Sequence, residues 1–519
     1  MKLYRSIATV SGFTALSRVL GFVRDVLTAA VLGAGPVADA FFVAFRLPNL
    51  FRSLFAEGAF NSAFVPLFSK NLQSDGPDGA RNFAEEALAV LLVALLFTTI
   101  LAEIAMPWLV AFIAPGFSNN PEKFDLAVLL TRITFPYLLC MSLSALAAGV
   151  LNALGRFAAA AAAPIILNVV LSGAMILAAS IGLRDRPEAA MMLAWAVSVA
   201  GFAQLTFLAI AAGRQGMNLR FRWPRLTPQI KRLFSLALPG VATAGITQIN
   251  LFVGTMIASL AEGAVSYLYY ADRINQLPLG IVGIAIGVVL LPELSQKLNG
   301  GDVRAAMASH NRSLEFALLL TLPAAAALCV VPGPIIQVLF ERGAFHASDT
   351  AAVSMALTAF AVGLPASVLI RVLLPGFFAR EDTRTPMIFA GISAAVNIIG
   401  SLSLFFYMGH VGIAIATSLA AWTNAILLGA TLLRRKHFEP DAALKRRGAM
   451  IAVASGVMGL ALWFAAFPLG RYFAPANGVS VQLLALGALI GGGGIVYLAM
   501  AQVTGAANYR SLWRSVARG

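Results

Sequence analysis

Apolar runs of about 20 residues recur from one end of this chain to the other, each long enough to cross a hydrocarbon core of ~30 Å as a helix. Within lipid every backbone N–H and C=O must find its partner in the protein, which leaves helices or closed barrels. Barrel strands read as alternating segments of ~10 residues, and these runs are longer and continuous. Composition agrees. Of 519 residues 59% are apolar and 12% charged, against about 25% charged in a soluble domain; mean hydropathy is +0.84. The expected fold is an all-α polytopic membrane protein.

Fourteen spans are expected, at roughly 6–32, 37–57, 87–111, 126–151, 158–181, 188–212, 229–258, 265–293, 312–331, 349–378, 385–406, 411–433, 448–468 and 480–504. Lys2 and Arg5 precede the first, but Arg18, Arg24 and Asp25 follow with no small-x-small cleavage site. The first span is therefore expected to stay uncleaved. Pro48, Pro278 and Pro375 fall inside spans and predict breaks or kinks there.

The net charge is +14, which in a soluble chain points to nucleic acid. Its distribution says otherwise. Twenty-five of the 37 Lys and Arg lie at the termini and in one alternate set of loops, and the opposite loops hold Lys123, Arg184, Arg186, Arg342 and Arg471. The positive-inside rule then places both termini in the cytoplasm. Basic runs such as 220–225 and 434–436 are topology signals that also favour anionic lipid; no nucleic-acid partner is expected. Cys140 and Cys329 sit in apolar runs, and no two of the four histidines have metal-ligand spacing. No metal, disulfide or cofactor is expected.

A weak internal repeat runs through the chain. With Arg46 placed on Arg273, an offset of 227, FFVAFRLPNL (41–50) faces LYYADRINQL (268–277). FVPLFSKNL (64–72) then faces LLPELSQKL (290–298), and 149–168 resembles 376–397. Three matches in one order predict two six-helix halves, 1–215 and 225–435, around a central cationic cavity. Two extra helices at 445–505 and a cytoplasmic tail at 506–519 complete the chain.

The remaining seven basic residues, all arginines, lie at membrane depth: Arg18, Arg24, Arg46, Arg52, Arg132, Arg273 and Arg371. An ionisable group there is costly unless it faces a partner or a polar cavity. Charges gather in spans one, two and eight: Arg18, Arg24 and Asp25; Asp39, Arg46, Arg52 and Glu57; Asp272 and Arg273. Spacing by seven puts Arg18 with Asp25, and Asp39 with Arg46, on shared helix faces. Arg24, Arg52 and Arg273 have no carboxylate at i±3, i±4 or i±7 on this reading. Arginine binds phosphate through a two-pronged fork and keeps its charge, so a phosphate-bearing anionic ligand is expected. The chain holds no P-loop, no Gly-x-Ser-x-Gly and no His-Glu-x-x-His, so an enzyme is not expected. Gly280 and Gly283, with Pro48, are candidate flex points.

The stretch SRVLGFVRDVLTAAVLGAGPVADAFFVAFRLPNLFRSLFAEGAFNSAFVPLFSK (17–70) closely resembles the MurJ/MviN family of lipid II flippases, within the multidrug, oligosaccharidyl-lipid and polysaccharide exporter superfamily. YYADRINQLPLGIVGIAIGVVLLPELS (269–295) resembles that family's eighth span. The resemblance implies translocation of the undecaprenyl-diphosphate-linked peptidoglycan precursor from the cytoplasmic to the periplasmic leaflet of the bacterial inner membrane, by alternating access. It implies head-group binding by Arg18, Arg24, Arg52 and Arg273, with Asp25, Asp39, Glu57 and Asp272 as acidic cavity or gating residues. It further implies a lipid-tail groove at the two extra spans, with lipid II and membrane lipids as partners and cell-wall synthesis enzymes as candidate protein partners. Some relatives bind sodium through acids in spans seven and eleven; here those spans carry Asn250 and Asn397 instead, so a sodium site is not expected. The alternatives are a flippase for another polyprenyl-diphosphate glycan and, further off, a membrane-embedded glycosyltransferase.

Overall fold

The computed structural model describes residues 2–52, 60–474 and 476–506, with side chains except at 2–8, 50–52, 239–247, 249, 250 and 281–289. Among the described residues there is no strand, and seventeen α-helices carry the chain. The first nine are α1 (Lys2–Leu32), α2 (Pro36–Arg52), α3 (Phe60–Ser74), α4 (Gly76–Ile113), α5 (Pro121–Thr134), α6 (Tyr137–Ala153), α7 (Phe157–Ser180), α8 (Pro187–Gly213) and α9 (Pro228–Ala258). Then come α10 (Ala264–Asn299), α11 (Val303–Val330), α12 (Pro332–Phe340), α13 (Ala347–Phe378) and α14 (Arg384–Met408). The last are α15 (His410–Arg434), α16 (Ala442–Leu469) and α17 (Val479–Thr504).

The starts follow local chemistry. Proline stands in the first turn of α4, α5, α8, α9 and α12, where its missing N–H leaves no bond unmade. Asn120, Thr227, Asp302 and Asp441 cap α5, α9, α11 and α16, each side chain accepting a backbone N–H three residues on.

Ten helical segments among the described residues are long and apolar enough to cross a bilayer, α5 and α6 together forming one of them. They match ten of the fourteen expected spans, and the chain is a multi-pass membrane protein. The other four expected spans coincide with α1, α2, α9 and α10. Of these, α2 is short, at 17 residues, and Arg18, Arg24 and Asp25 on α1 and Asp272 and Arg273 on α10 interrupt the apolar runs. Backbone helix continues through Pro48, Pro278 and Pro375. The interruption falls at Phe135–Pro136, between α5 and α6, where Pro136 has no N–H to continue the ladder although both residues keep right-handed helical angles. Two short helices were not expected, α3 beyond the second span and α12 between the ninth and tenth.

By compactness the chain divides into two units, Met1–Ser266 with Gly343–Phe345, and Tyr267–Arg342 with His346–Gly519. The repeat divides it elsewhere, at 215–225. In the structure α9 packs on α3 and α4 of the first unit. That unit is centred on Phe64 and Phe68 of α3, Phe83 of α4, Val150 of α6 and Ile230 of α9, all buried. The Phe64 ring stacks on Phe83 with centroids 5.5 Å apart. The inserted 343–345 segment joins α1 at close range: Ala344 N–H donates to Ala30 O at 3.0 Å. Gly33 and Gly343 both take positive φ there, and a Cβ on either would strike the opposite backbone. The second unit is centred on Leu290 and Leu294 of α10, Val372 and Phe377 of α13, and Leu428 and Leu432 of α15. The extra helices α16 and α17 pack on each other, α16 also on α11 and α17 on α12. Outward faces are large and apolar, as at Phe97, Ile104, Trp108 and Phe112 on α4, which suits contact with lipid.

Candidate functional site

Among the described residues of the first unit, two networks gather intramembrane charge. One is built on α1. Arg24 lies mid-helix with 13% of its side chain exposed, and it donates from Nη2 to Asp25 Oδ1 at 2.8 Å. Its Nε donates to the same oxygen at 3.2 Å. Nη1 donates to Asn168 Oδ1 on α7 at 3.1 Å. Asn168 is itself buried and donates from Nδ2 to the Ser17 carbonyl on α1 at 2.9 Å. One asparagine therefore fixes both the helix pair and the guanidinium. Arg18, one and a half turns before Arg24, is exposed.

This corrects the expected pairing. Asp25 partners its neighbour Arg24, although Arg24 was expected to lack a carboxylate and Asp25 to serve Arg18. Adjacent helix residues point apart, but the guanidinium is long enough to turn back.

The second network surrounds Asp39 at the start of α2, which is fully buried. Its Oδ2 accepts from Lys123 Nζ of α5 at 2.7 Å and from Gly263 N–H at 2.8 Å. Its Oδ1 accepts from Ser266 N–H at 2.9 Å and Ser266 Oγ at 2.5 Å. Gly263 and Ser266 flank the start of α10, so the carboxylate sits on the unpaired donors and positive dipole end of that helix. Lys123 also lies 4.2 Å from the centre of the Phe117 ring. The expected partner of Asp39 was Arg46, and Lys123 had been counted as a loop charge. It is in fact 7% exposed.

In the second unit, α10 carries Asp272 and Arg273. Arg273 lies 4.7 Å from the centre of the Tyr269 ring one turn earlier and donates to its hydroxyl at 3.1 Å. Asp272 accepts from Gln276 Nε2. Asn397 on α14 is buried and accepts from the Thr417 hydroxyl at 3.3 Å and the Ser401 hydroxyl at 3.4 Å. In the repeat matched at 149–168 and 376–397, Asn168 and Asn397 end the two stretches. Each is a buried hydrogen-bonding centre within its own unit.

Glu57 lies outside the described residues, and so do the side chains of Arg52 and Asn250. Gly283 is described as helix backbone alone, and Gly280 also lies within α10. Lys123, Asn168 and Ser266 escaped the sequence reading. For Asn168 the shared terminal asparagine of the repeat was a usable signal. For Lys123 the only hint was that it is the one lysine among five basic residues in the sparse loops.

Outside the spans, the turn between α13 and α14 carries a polar cluster. Asp382 accepts from Thr385 N–H at 3.0 Å and from Arg435 Nη1 at 2.6 Å. The Thr385 backbone and hydroxyl, and then Arg435, hold its carboxyl down at about 2. Burial lowers the His437 imidazole from its usual range, and Arg380 and Arg435 add to this.

A family model described as lipid II flippase MurJ matches residues 28–485. The probable lipid II flippase MurJ of Rhizobium meliloti (strain 1021) is 51% identical, over 100% of this chain and 97% of its own. The lipid II flippase MurJ of Burkholderia cenocepacia is 36% identical over 90% of each chain. A solved lipid II flippase MurJ in an inward closed conformation superposes with a TM-score of 0.79 at 26% identity, covering 97% of this chain and 99% of that one. An inward-facing multidrug resistance transporter of the MATE family, in the MOP superfamily, gives a TM-score of 0.68 at 16% identity over 84% of this chain and 98% of that one; it is similar in fold.

Proposed function

This chain belongs to the family of the lipid II flippase MurJ, and on that premise we propose that it carries lipid II from the cytoplasmic to the periplasmic leaflet by alternating access, for peptidoglycan synthesis. It is a transporter and not an enzyme. We place it in the bacterial inner membrane with both termini cytoplasmic, on the asymmetry of 25 basic residues against five.

The observation that carries the reading is the Arg24–Asp25–Asn168 group in a chain of this family. A guanidinium at membrane depth is held by one carboxylate oxygen and one amide oxygen, so it is oriented before any ligand arrives. A diphosphate offers it charge-assisted, two-pronged bonds. The arriving ligand then competes with Asp25 for the same donors. Binding exchanges one anionic partner for another, and release reverses the exchange, so Arg24 is never left unpaired. Arg18, Arg52 and Arg273 are the further head-group residues of this proposal.

Asp39 serves the conformational step. It ties α2 and α5 to the start of α10, the helix that bears Asp272, Arg273, Gly280 and Gly283. Breaking these contacts frees the N-terminus of α10, and Pro48, Gly280 and Gly283 supply flexibility. Glu57 completes the acidic set. The prenyl tail stays in lipid beside the pair α16 and α17. The division into halves at 1–215 and 225–435, with 445–505 added, belongs to the same proposal.

The test is complementation of a strain depleted of its own flippase. Arg24→Ala, Arg52→Ala and Arg273→Ala, each verified as membrane-inserted, are expected to fail. Full growth with all three replaced would overturn the assignment.

A further inference from the structure

The first unit contains an apolar cavity of about 280 Å³ between α3, α4, α6 and α9, which neither charge network reaches. Phe60, Leu91, Leu233, Phe234 and Leu238 line it, with two serines, Ser142 and Ser235. Ser142 is 2% exposed, and its Oγ has no hydrogen-bond partner among the described residues. The cavity's walls are almost wholly apolar, which suits a segment of a hydrocarbon chain.

Its mouth and level follow from α9. Phe234 and Leu238 line the cavity yet remain largely exposed, so it opens towards lipid. Lys231 precedes Phe234 by three residues and Ser235 by four, on the same helix face. Lys231 and Arg232 are both exposed, and helical side chains lean towards the N-terminus, so their charges stand above the mouth. The level is that of a bilayer interface. In the segment just before α9, Trp223 is 84% exposed, with Phe221 and Leu226 also exposed, and Arg220, Arg222 and Arg225 are interleaved with them. Aromatic and basic residues together mark the headgroup layer. This segment is fastened in place, since Arg222 pairs with buried Glu85 at 2.5 Å and the Thr227 hydroxyl donates to Glu86 at 2.8 Å. Asn71 and Gln229 join α3 to the first turn of α9 beside the rim.

We propose that this cavity holds one acyl chain of an anionic phospholipid, with its phosphate at Lys231 and Arg232. In the proposed orientation the site lies in the cytoplasmic leaflet. It is a resident lipid site and is separate from the arginines assigned to the transported head group. The apolar lining takes the chain, and the cationic rim selects the head group.

The test uses the full-length protein in phosphatidylcholine nanodiscs doped with phosphatidylglycerol that carries a diazirine at one acyl terminus. A second set carries the same label on phosphatidylcholine. Labelled peptides are expected from α6 around Ser142 and from the first turns of α9. Phosphatidylglycerol is expected to label on the order of tenfold more than phosphatidylcholine, from two basic residues at the surface. Lys231→Glu with Arg232→Glu, both exposed and therefore tolerable for folding, should abolish that preference. Ser142→Phe should remove the labelling by either lipid. Equal labelling by the two lipids in the unmodified protein overturns the proposal, as does label confined to other helices. Undecaprenyl diphosphate that clears the label where excess phosphatidylglycerol does not would also overturn it, by giving the cavity to the transported tail. The readout is binding alone, so failure here leaves the flippase reading standing.

Discussion

Replacing Asp39 by alanine removes the carboxylate that holds Lys123 at 2.7 Å and also takes three donors at the start of α10. Lys123 is 7% exposed, so the ammonium loses its counter-charge where water cannot replace it. Breaking a buried pair in this way costs about 3–5 kcal/mol, and loss of the helix cap adds about 1 kcal/mol. Lys123→Met is milder. Asp39 then keeps Gly263 N–H, Ser266 N–H and the Ser266 hydroxyl, and the expected cost is about 1–3 kcal/mol. In Asp39→Ala with Lys123→Met no charge is stranded, so the double variant should be more stable than Asp39→Ala alone by at least about 1.5 kcal/mol. Thermal unfolding of the purified full chain, followed by tryptophan fluorescence, reads these as midpoints. At ~2–4 °C per kcal/mol for units of this size, Asp39→Ala should fall by on the order of 10 °C and the double variant should regain several degrees. Strictly additive single effects, or a fall of under about 2 °C for Asp39→Ala against that scale, would refute the buried-pair argument.

Asn168→Ala should remove the bond from Arg24 Nη1 and the α7 bond to the Ser17 carbonyl, lowering stability by about 1–3 kcal/mol and weakening complementation; a wild-type midpoint and full growth would contradict the positioning role. Gly343→Ala places a side chain at φ +64 against the Ala30 carbonyl, so a loss of about 2 kcal/mol or more is expected in the same unfolding assay. The Asp382 carboxyl is held at about 2 in the folded protein, below its usual ~3.9. The stability it contributes is present above pH 4 and is lost as pH falls towards 2. Hydrogen exchange at the α13–α14 turn should therefore be flat from pH 5 to 8 after correction for intrinsic rates, and protection should drop only below pH 4.

Much of this fold was legible in the sequence because a bilayer permits few solutions. Ten of the expected spans appear as apolar helices, and the positions of α1, α2, α9 and α10 were read from the same runs. What escaped notice depends on distance along the chain. Asp39 and Lys123 are 84 residues apart, and a spacing argument along one helix could only offer Arg46. Arg24 and Asp25 failed for the opposite reason, being neighbours that helix geometry sends in different directions. Asn168 looked like one polar residue in an alanine-rich span; its meaning appeared once α7 packed on α1. Helix continues through Pro48, Pro278 and Pro375 yet is interrupted at Pro136, since a proline's effect depends on whether its surroundings satisfy the freed carbonyl. The intramembrane arginines did point towards a phosphate-bearing ligand, because the cost of charge at depth is independent of fold detail.

The central claim is that the oriented arginine on α1 serves lipid II movement between leaflets. Its most direct test is leaflet-resolved quantification of lipid II in cells that carry Arg24→Ala as their sole flippase, after rapid depletion of the wild-type protein. The account predicts that lipid II accumulates in the cytoplasmic leaflet while Arg24→Ala remains folded and inserted. Wild-type amounts of lipid II on the periplasmic side with Arg24→Ala would contradict it.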